Sequence, residues 1–490
     1  MAGFTTDGIY DPEYGHLSAR REDDNQRVWT TVQDFVHDGQ LSMEIPIYLF
    51  GNPSPDFIDL GLYGMYQIRG TDLRRFSFFP TSNPTTDEYY WDESNSPGDI
   101  LGPDSIGEEI RFQEGTYLAD NYTGDALIGA GYVTTDILLP FDIRMTGGLR
   151  GEYSRQSVRA FTFPPPAQLE TPVLEEFDLL PALNFTIPTG DAGQLRIGGS
   201  RTINRPDLRE LSSAPFFGPP GFGVIQGNPD LRRAVIWNAD LRWETYLSME
   251  ESFSVGGFYK FFQDAIEIAQ LQGAAFVKVP VNTASAFNVG AEMEWAAQLT
   301  WPSDMIRSLM LNLRFDSLET ERAWRRALGG FAGVLRDIRT TGNVAWIYSQ
   351  IDYGDQNLTY QGVTISNTSD TRPLQGQAPY VVNLGLGYRN EVSWSQDAPY
   401  HTSIFLNYNV VGPFITQLGV EGVPDQYRQP FHQLDLVFRQ QLGFVTSISF
   451  EAGNLLNLPN TISLGNGPDA DIVESDRKGR TFSVSVSLDI

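Results

Sequence analysis

The sequence of 490 residues predicts an all-β protein, an antiparallel, up-and-down β-barrel that spans a membrane. Three observations lead to this fold class. Apolar and polar residues alternate, the alternating segments are long, and the connections between them are short and long in turn. Aromatic residues make up 12% of the chain, yet it contains no apolar run long enough for a membrane-spanning helix. Strands with one apolar face account for both facts.

The alternation is clearest at the end of the chain. Phe482, Val484, Val486 and Leu488 alternate with polar residues, which gives the segment one apolar and one polar face. The same period recurs at residues 142–154, 236–247, 287–300 and 380–389. Such segments exceed the usual soluble strand of about 5–6 residues and match the roughly 9–11 residues of a tilted membrane strand.

The segments and their connections predict the order of the barrel. About sixteen strands are expected, at residues 12–21, 30–45, 57–79, 126–139, 142–154, 174–187, 194–203, 236–247, 252–262, 287–300, 341–351, 380–389, 401–411, 431–441, 444–454 and 480–490. Short connections such as 140–141 alternate with long ones such as 80–125. In outer-membrane barrels the short turns are periplasmic and the long loops extracellular, so residues 1–490 are predicted to be one such barrel domain.

Residues 301–340 are predicted to form a single connection on the periplasmic side. An up-and-down barrel places every long loop at the same end, and counting 308–318 as a strand would put each later loop at the wrong end. Glu319–Leu328 has the composition of a helix, so a surface helix is expected within this connection.

Composition excludes several classes of function. The chain has 34 Lys+Arg and 61 Asp+Glu, a net charge of −27, which argues against a nucleic-acid surface. It has no cysteine and no spacing typical of a catalytic or phosphate-binding motif. We therefore predict that the protein is not an enzyme and needs no cofactor or metal. His401 and His432 open adjacent predicted strands; they are interpreted as ordinary polar residues, with a metal pair as the alternative.

Seven motifs share their order and spacing with a known family of membrane proteins. They are Ser200–Leu211 (SRTINRPDLREL), Gly227–Leu231 (GNPDL), Trp237–Glu244 (WNADLRWE), Phe258–Glu267 (FYKFFQDAIE), Asn288–Glu294 (NVGAEME), Thr371–Tyr380 (TRPLQGQAPY) and Asn454–Asn457 (NLLN). Through these motifs, residues 126–490 resemble the barrel of TonB-dependent outer-membrane receptors.

The resemblance implies a 22-stranded barrel with an N-terminal plug in its lumen. It also implies uptake of an iron chelate, cobalamin, a sugar or a peptide across the outer membrane of a Gram-negative bacterium, with energy from the TonB system. No plug, TonB box or signal peptide is recognised in the sequence. The chain is therefore expected to be the C-terminal portion of such a receptor, or one piece of a split receptor.

The partners follow from this interpretation. They are outer-membrane lipid and lipopolysaccharide, a TonB-type energising complex that acts through a plug outside this chain, and a second chain that supplies the plug and further strands. A passive sixteen-stranded porin and a structural barrel subunit of a larger outer-membrane assembly are the alternative functions.

Two groups of side chains are candidate functional residues. The candidate ligand-binding residues lie at a strand end or in long loops: Arg201, Asn204, Arg205, Phe216, Phe217, Phe222, Tyr89, Tyr90 and Trp91. The alternative for these arginines is pairing with carboxylates that order the loop base, and for the aromatic residues packing between loops. The candidate membrane-interface aromatics are Trp237, Trp243, Trp295, Trp301, Tyr388 and Tyr408.

Overall fold

The computed structural model describes most of the chain, namely residues 3–5, 26–80, 106–107, 110–162, 168–217, 224–271, 277–313, 317–352, 358–360, 363–365, 371–390, 393–395, 398–419, 422–467 and 469–488. In these ranges sixteen strands follow one another in a single sheet: β1 Gly3–Thr5, β2 Gln26–Ile47, β3 Asp56–Pro80, β4 Tyr122–Leu139, β5 Ile143–Phe161, β6 Val173–Pro188, β7 Gly193–Asn204, β8 Ala234–Tyr246, β9 Ser252–Gln263, β10 Ser285–Gln298, β11 Ile338–Asp352, β12 Tyr380–Asn390, β13 Ala398–Val411, β14 Phe431–Leu442, β15 Thr446–Gly453 and β16 Thr481–Leu488.

Each strand pairs with its neighbours in chain order, and every one of these pairings is antiparallel. The predicted up-and-down order is therefore confirmed. The strand predicted at 12–21 lies outside the described residues. Three short strands extend the sheet: Ile110–Glu114 beside β3, Leu169–Glu170 beside β5 and Ser393–Ser395 beside β13.

The connections divide the sheet into two ends. Short turns follow β2, β4, β6, β8 and β14, and we call this end of the sheet the short-turn end. Apart from the helical connection between β10 and β11, the longer connections, including 205–233 and 264–284, lie at the opposite end, here called the loop end. The alternation of connection lengths is thus the one that the sequence predicts.

The two faces of the sheet differ as the alternation requires. The apolar side chains of β16 are exposed, and so are Trp237 and Leu241 of β8, on the outer face. Glu244 of β8 lies on the opposite face and is buried. An exposed apolar outer face and a polar inner face are what a membrane barrel with a wet lumen requires.

The long connections at the loop end form packed structure. One four-stranded sheet comprises Pro215–Phe217, Val224–Gln226, Val277–Asn282 and Ile266–Gln270. A second comprises Phe414–Gln417, Gln426–Arg428, Asn460–Leu464 and Asp471–Asp476, and Leu358–Tyr360 pairs with Val363–Ile365. Buried side chains such as Val279, Ile351 and Ile415 join these connections to the barrel strands in one apolar cluster.

Two helices lie at the short-turn end, between β10 and β11. They are α1 (Thr300–Asn312) and α2 (Leu318–Arg336). The Ser317 hydroxyl caps α2 by accepting a hydrogen bond from the Thr320 amide at 3.2 Å. Short 3₁₀ turns occupy Leu118–Asp120 and Pro140–Asp142. No helix in the described part of the chain has the length and apolar character that a membrane crossing needs.

In the ranges that the structure describes, β2 and β16 have open edges. Among the described residues, β1 pairs with only Gln26–Val28 of β2, which leaves most of that edge of β2 without a partner strand. The outer edge of β16 is likewise unpaired within the described ranges. Most side chains of β2 and all those of β16 are accordingly exposed, on either face.

Candidate ligand site at the loop end

The turn after β7 folds back onto the inner face of the barrel wall. Pro206 has almost no exposed surface, and Leu208 and Leu211 are buried beside Tyr122 and Val158. Burial of these apolar side chains fixes residues 205–211, here called the inward turn, against β4 and β5. This local packing positions the polar groups of the turn inside the barrel mouth.

An arginine of β3 holds the inward turn from one side. Arg69 lies on the inner face, since its neighbour Ile68 is exposed on the outer one. Its guanidinium donates to Asp34 of β2 at 2.7 Å and to both carboxylate oxygens of Asp207 at 2.8 and 2.9 Å. Such charge-assisted hydrogen bonds have a fixed geometry, so Arg69 links the turn to two wall strands.

Arg205, a predicted ligand residue, pairs with the wall on the other side of the turn. Its guanidinium donates to Glu152 at 2.5 Å and to the Ser154 hydroxyl at 3.0 Å. Arg150 donates to the other carboxylate oxygen of Glu152 at 2.5 Å and also lies over the Tyr63 ring. Two arginines therefore share one buried carboxylate, and this cluster carries a net positive charge.

Arg201, the second predicted arginine, belongs to a similar cluster. It donates to Asp178 at 3.1 Å and to the Leu179 carbonyl at 2.6 Å. Arg233 donates to the other oxygen of Asp178 at 2.8 Å, and Asp178 has no exposed surface. Both predicted arginines thus make the carboxylate pairs that the structural alternative expects, and their role toward a ligand stays a prediction.

A cavity of about 520 Å³ lies between the inward turn and the wall. Gln67, Gln156, Asn204, Arg205 and Glu210 contribute polar side chains to its lining. Gln156 donates to the Pro206 carbonyl at 2.9 Å. Its buried side-chain oxygen has no hydrogen-bond partner in the part of the chain that the structure describes. We call this space the loop-end cavity; it offers hydrogen-bond donors and acceptors to a small polar ligand.

A larger cavity of about 940 Å³ lies deeper on the inner face of the wall. Tyr132, Arg150, Glu152, Arg201 and Thr202 line it, so both arginine clusters contribute to its surface. Glu44, Asp59 and Asp136 line it as well, so a solute that leaves the loop-end cavity toward the short-turn end would meet groups of both charges.

The recognised motifs contact one another at the loop end. Gly227 packs against the backbone of residues 209–212. The amide of Asn228 donates to the Glu210 carbonyl at 2.6 Å, and its side chain donates to the Pro280 carbonyl at 3.0 Å. The motif Gly227–Leu231 therefore holds the inward turn against the four-stranded sheet that contains Val277–Asn282.

A buried ion pair joins two further motifs. Arg372 donates to Glu267 at 2.5 Å, and the Gln375 amide donates to the same carboxylate at 2.8 Å. The side chains of Arg372 and Glu267 are 5% and 3% exposed. Removing one partner of an ion pair so well shielded from water is costly, because the other charge is then buried without compensation.

The remaining predicted ligand residues are placed less fully. Asn204 is exposed at the end of β7 and lines the loop-end cavity. The backbones of Phe216 and Phe217 lie in a loop strand, but their side chains, like all of Phe222, Tyr89, Tyr90 and Trp91, lie outside the described residues. Sequence reasoning missed Arg69, Gln156 and Glu210. Position on the polar face of an alternating strand is the only signal that Arg69 and Gln156 carry.

The predicted interface aromatics occupy different settings. Trp237 and Trp243 of β8 are exposed on the outer face. Trp295 of β10 is half-buried against the Gly342 backbone, where an added methyl group would overlap its ring. Trp301 lies in the first turn of α1 and is exposed. Their membrane contact stays a prediction.

Tyr388 and Tyr408, the last two of the predicted aromatics, are half-buried. The Tyr408 hydroxyl hydrogen-bonds to Nδ1 of His432 at 2.7 Å. The register pairs His432 with Val410 and His401 with Gln441, at opposite ends of β13 and β14, so the metal pair considered from the sequence is wrong. Within the described ranges, no group of three His, Asp or Glu side chains could hold a metal ion.

Glu210 is expected to make the inward turn sensitive to pH. Burial raises the pKa of Glu210 above its ordinary value of 4.5, although its carboxylate accepts a hydrogen bond from the Asp207 amide at 2.8 Å. The folded protein therefore favours the neutral carboxyl group, and its stabilising contribution is lost as the pH rises through the raised pKa. Glu210→Gln keeps an acceptor for Asp207 but removes the titration. The protection factors for amide exchange at residues 207–211, which are corrected for the intrinsic effect of pH on exchange, should depend less on pH in this variant, and an unchanged pH profile of these factors would contradict the assignment.

Solved structures of bacterial receptors share this architecture. The siderophore receptor PiuA from Acinetobacter baumannii is 10% identical with a TM-score of 0.58, and the match covers 96% of this chain and 57% of that receptor. The ferric-catecholate import receptor Fiu from E. coli K12 is 11% identical with a TM-score of 0.57, and 95% of this chain covers 55% of it. The ferric yersiniabactin uptake receptor FyuA from Yersinia pestis is 13% identical with a TM-score of 0.56, and the match covers 95% of this chain and 55% of that receptor.

At these low identities the solved structures show a common fold. This chain spans little more than half the length of the proteins that it matches. Among curated protein sequences, none matches it significantly. The family model for the β-barrel of TonB-dependent-receptor-like proteins matches residues 3–458. The chain therefore belongs to the TonB-dependent receptor β-barrel family, a family of outer-membrane transport proteins, as the motifs predicted.

Proposed function

We propose that this chain forms the wall of an importer that binds an iron chelate at the loop end and admits it with energy from the TonB system. The observation that carries the proposal is the loop-end cavity, which lies on the inner wall and is lined by Asn204 and Arg205. The iron-chelate receptors of similar fold support this ligand class.

The arginine cluster around Glu152 favours an anionic chelate. Arg150 and Arg205 share Glu152, so that their cluster retains one positive charge in a chain whose net charge is −27. A cationic patch inside an acidic protein attracts anions locally, because the nearest charges dominate where low-dielectric walls reduce screening. Movement of a plug would then open the lumen beneath the bound chelate.

Iron uptake tests this proposal. Cells that carry the protein and lack other iron receptors are supplied with a panel of radiolabelled ferric chelates, in strains with and without TonB. At least one anionic chelate should accumulate, and only where TonB is present. Equal uptake in both strains would favour a passive porin and contradict the proposal.

A pair of arginine variants tests the site itself. Arg205→Ala should weaken uptake about tenfold or more, because it removes a charge-assisted contact at the cavity. Arg144→Ala is the matched control, since Arg144 pairs with Asp136 in an exposed ion pair at the short-turn end. Equal loss in both variants would contradict a ligand role for Arg205.

The edges of β2 and β16 that are open among the described residues favour a second role, in an assembly. Unpaired backbone N–H and C=O groups cost several kcal/mol each in lipid, so membrane sheets have no free edges. We propose that strands from another segment or from a second chain, which also supplies the plug, pair with these edges. A cross-linker attached to the cysteine of a Ser485→Cys variant in outer membranes should capture such a neighbouring strand. Mass spectrometry would then identify the captured segment. Cross-links to lipid alone would contradict the proposal.

A further inference from the structure

The hairpin of α1 and α2 has an unusual exposed surface. Trp301, Met305 and Leu309 recur every four residues along α1 and are 68%, 61% and 56% exposed. On α2, Trp324 and Phe331 form a similar stripe and are 53% and 55% exposed. A stripe at this spacing lies on one side of a helix.

The two stripes lie on the same side of the hairpin. The helices contact where the Ser303 hydroxyl donates to the Ala332 carbonyl at 2.7 Å, and both residues are fully buried. With 3.6 residues per turn, the centre of the α1 stripe lies about 160° from this contact and that of the α2 stripe about 90°, in the same rotational sense. Since the helices of a hairpin are antiparallel, rotations in the same sense turn both stripes toward the same face of the hairpin.

The opposite side of α2 carries arginines. Arg322 and Arg326 lie about 80–120° from Ala332 in the other rotational sense. Residues 300–336 contain six arginines and four acidic residues, a net charge of +2 in a chain of −27. Positive charge is thus concentrated in this connection, whereas the rest of the protein is acidic.

The hairpin is tied to the base of the membrane strands. Only Leu299 separates β10 from α1, and only Asp337 separates α2 from β11. The Leu299 amide donates to the Ile338 carbonyl at 2.9 Å, and the Gln298 side chain donates to the Arg336 carbonyl at 2.6 Å. The hairpin therefore sits at the level where the outer, lipid-facing surface of β10 ends.

We propose that this hairpin is an interfacial anchor that lies on the anionic lipid leaflet at the short-turn end, with its Trp–Met–Leu and Trp–Phe face among the lipid headgroups. Apolar and aromatic residues on one face and arginines on the other are the composition of helices that lie in a membrane interface. The position beside the lipid-facing strand surface and the local positive charge favour lipid over a protein partner. The proposal rests on membership of an outer-membrane family, and not on the ligand or on TonB coupling.

The absence of cysteine from the chain allows a direct test. Ala327→Cys places a label on the apolar side of α2, and Arg322→Cys places a matched label on the cationic side. Each variant of the full chain is labelled with an environment-sensitive fluorophore and reconstituted in vesicles of phosphatidylethanolamine and phosphatidylglycerol that carry quenchers on their acyl chains. Heat-modifiable gel migration verifies folding, and Val334→Cys replaces Ala327→Cys if that variant fails to fold.

The label at residue 327 should emit at shorter wavelength and be quenched by the lipid at least about twofold more strongly than the label at residue 322. Replacing phosphatidylglycerol by phosphatidylcholine should reduce this difference. Equal quenching at both positions, or quenching at residue 327 by aqueous iodide alone, would overturn the proposal. Either result would leave the proposed iron uptake untouched.

Discussion

Replacing Arg372 by methionine is expected to destabilise the loop end by about 3–5 kcal/mol, because Glu267 would remain charged in a buried site without its partner. The pair is 2.5 Å apart and almost fully shielded from water. Amide exchange in Ile266–Gln270 and Val277–Asn282, the strands that this pair holds, measures the loss directly.

Two further variants make this result specific. Adding Glu267→Gln to Arg372→Met should restore most of the protection, since an amide is neutral and still accepts the hydrogen bond from Gln375. Arg144→Met, which breaks the exposed pair with Asp136, should cost less than about 1 kcal/mol. Unchanged exchange in the Arg372→Met variant would show that the pair does not hold the loop end together.

Gly227→Ala is expected to disrupt the inward turn. A methyl group at Gly227 would lie 2.0 Å from the Ser212 carbonyl oxygen, 2.7 Å from that of Arg209 and 2.8 Å from that of Glu210. These are backbone atoms, so no side-chain rotation relieves the overlap, and a cost of about 3 kcal/mol or more is expected. Faster amide exchange at residues 207–211 would report the loss.

Gly64→Ala is the control for this substitution. Gly64 lies in β3, and a methyl group there would meet nothing within 4 Å. Exchange and heat-modifiable migration should match those of the unaltered protein. If both glycine variants behaved alike, close packing at Gly227 could not explain the effect.

The barrel strands could be predicted closely from the sequence. The strand expected at 431–441 is found at Phe431–Leu442, and the one expected at 236–247 at Ala234–Tyr246. Each strand separates an apolar outside from a polar inside, which imposes a period of two on its residues. A local pattern therefore carries the information that defines these elements.

The contacts of the loop end could not be predicted in the same way. Glu267 and Arg372 are 105 residues apart, and nothing in either neighbourhood identifies the partner. The resemblance identified both motifs, but only the folded chain brings them together. Likewise, Arg201 and Arg205 are recognisable as charged residues at a strand end, but the sequence does not indicate that Asp178 and Glu152 are the carboxylates with which they pair.

The segment after β10 shows the limit of local patterns. Residues 308–313 alternate apolar and polar residues in part, as a strand would, yet Ser308–Asn312 belongs to α1. The requirement that all long loops share one end of the barrel indicated a connection there. A rule about the whole chain therefore outweighed the pattern of a few residues.

The inward turn has a consequence for how the wall keeps its shape. It leaves β7, packs on β5 through Gln156, and reaches β3 through the ion pair of Asp207 with Arg69. A link between strands that are not neighbours fixes the distance between them. This distance is shorter in a curved sheet than in a flat one, so the link stabilises the curvature of the arc that they span. Residues 205–211 would thus set the curvature of this arc independently of the strands that complete the circle.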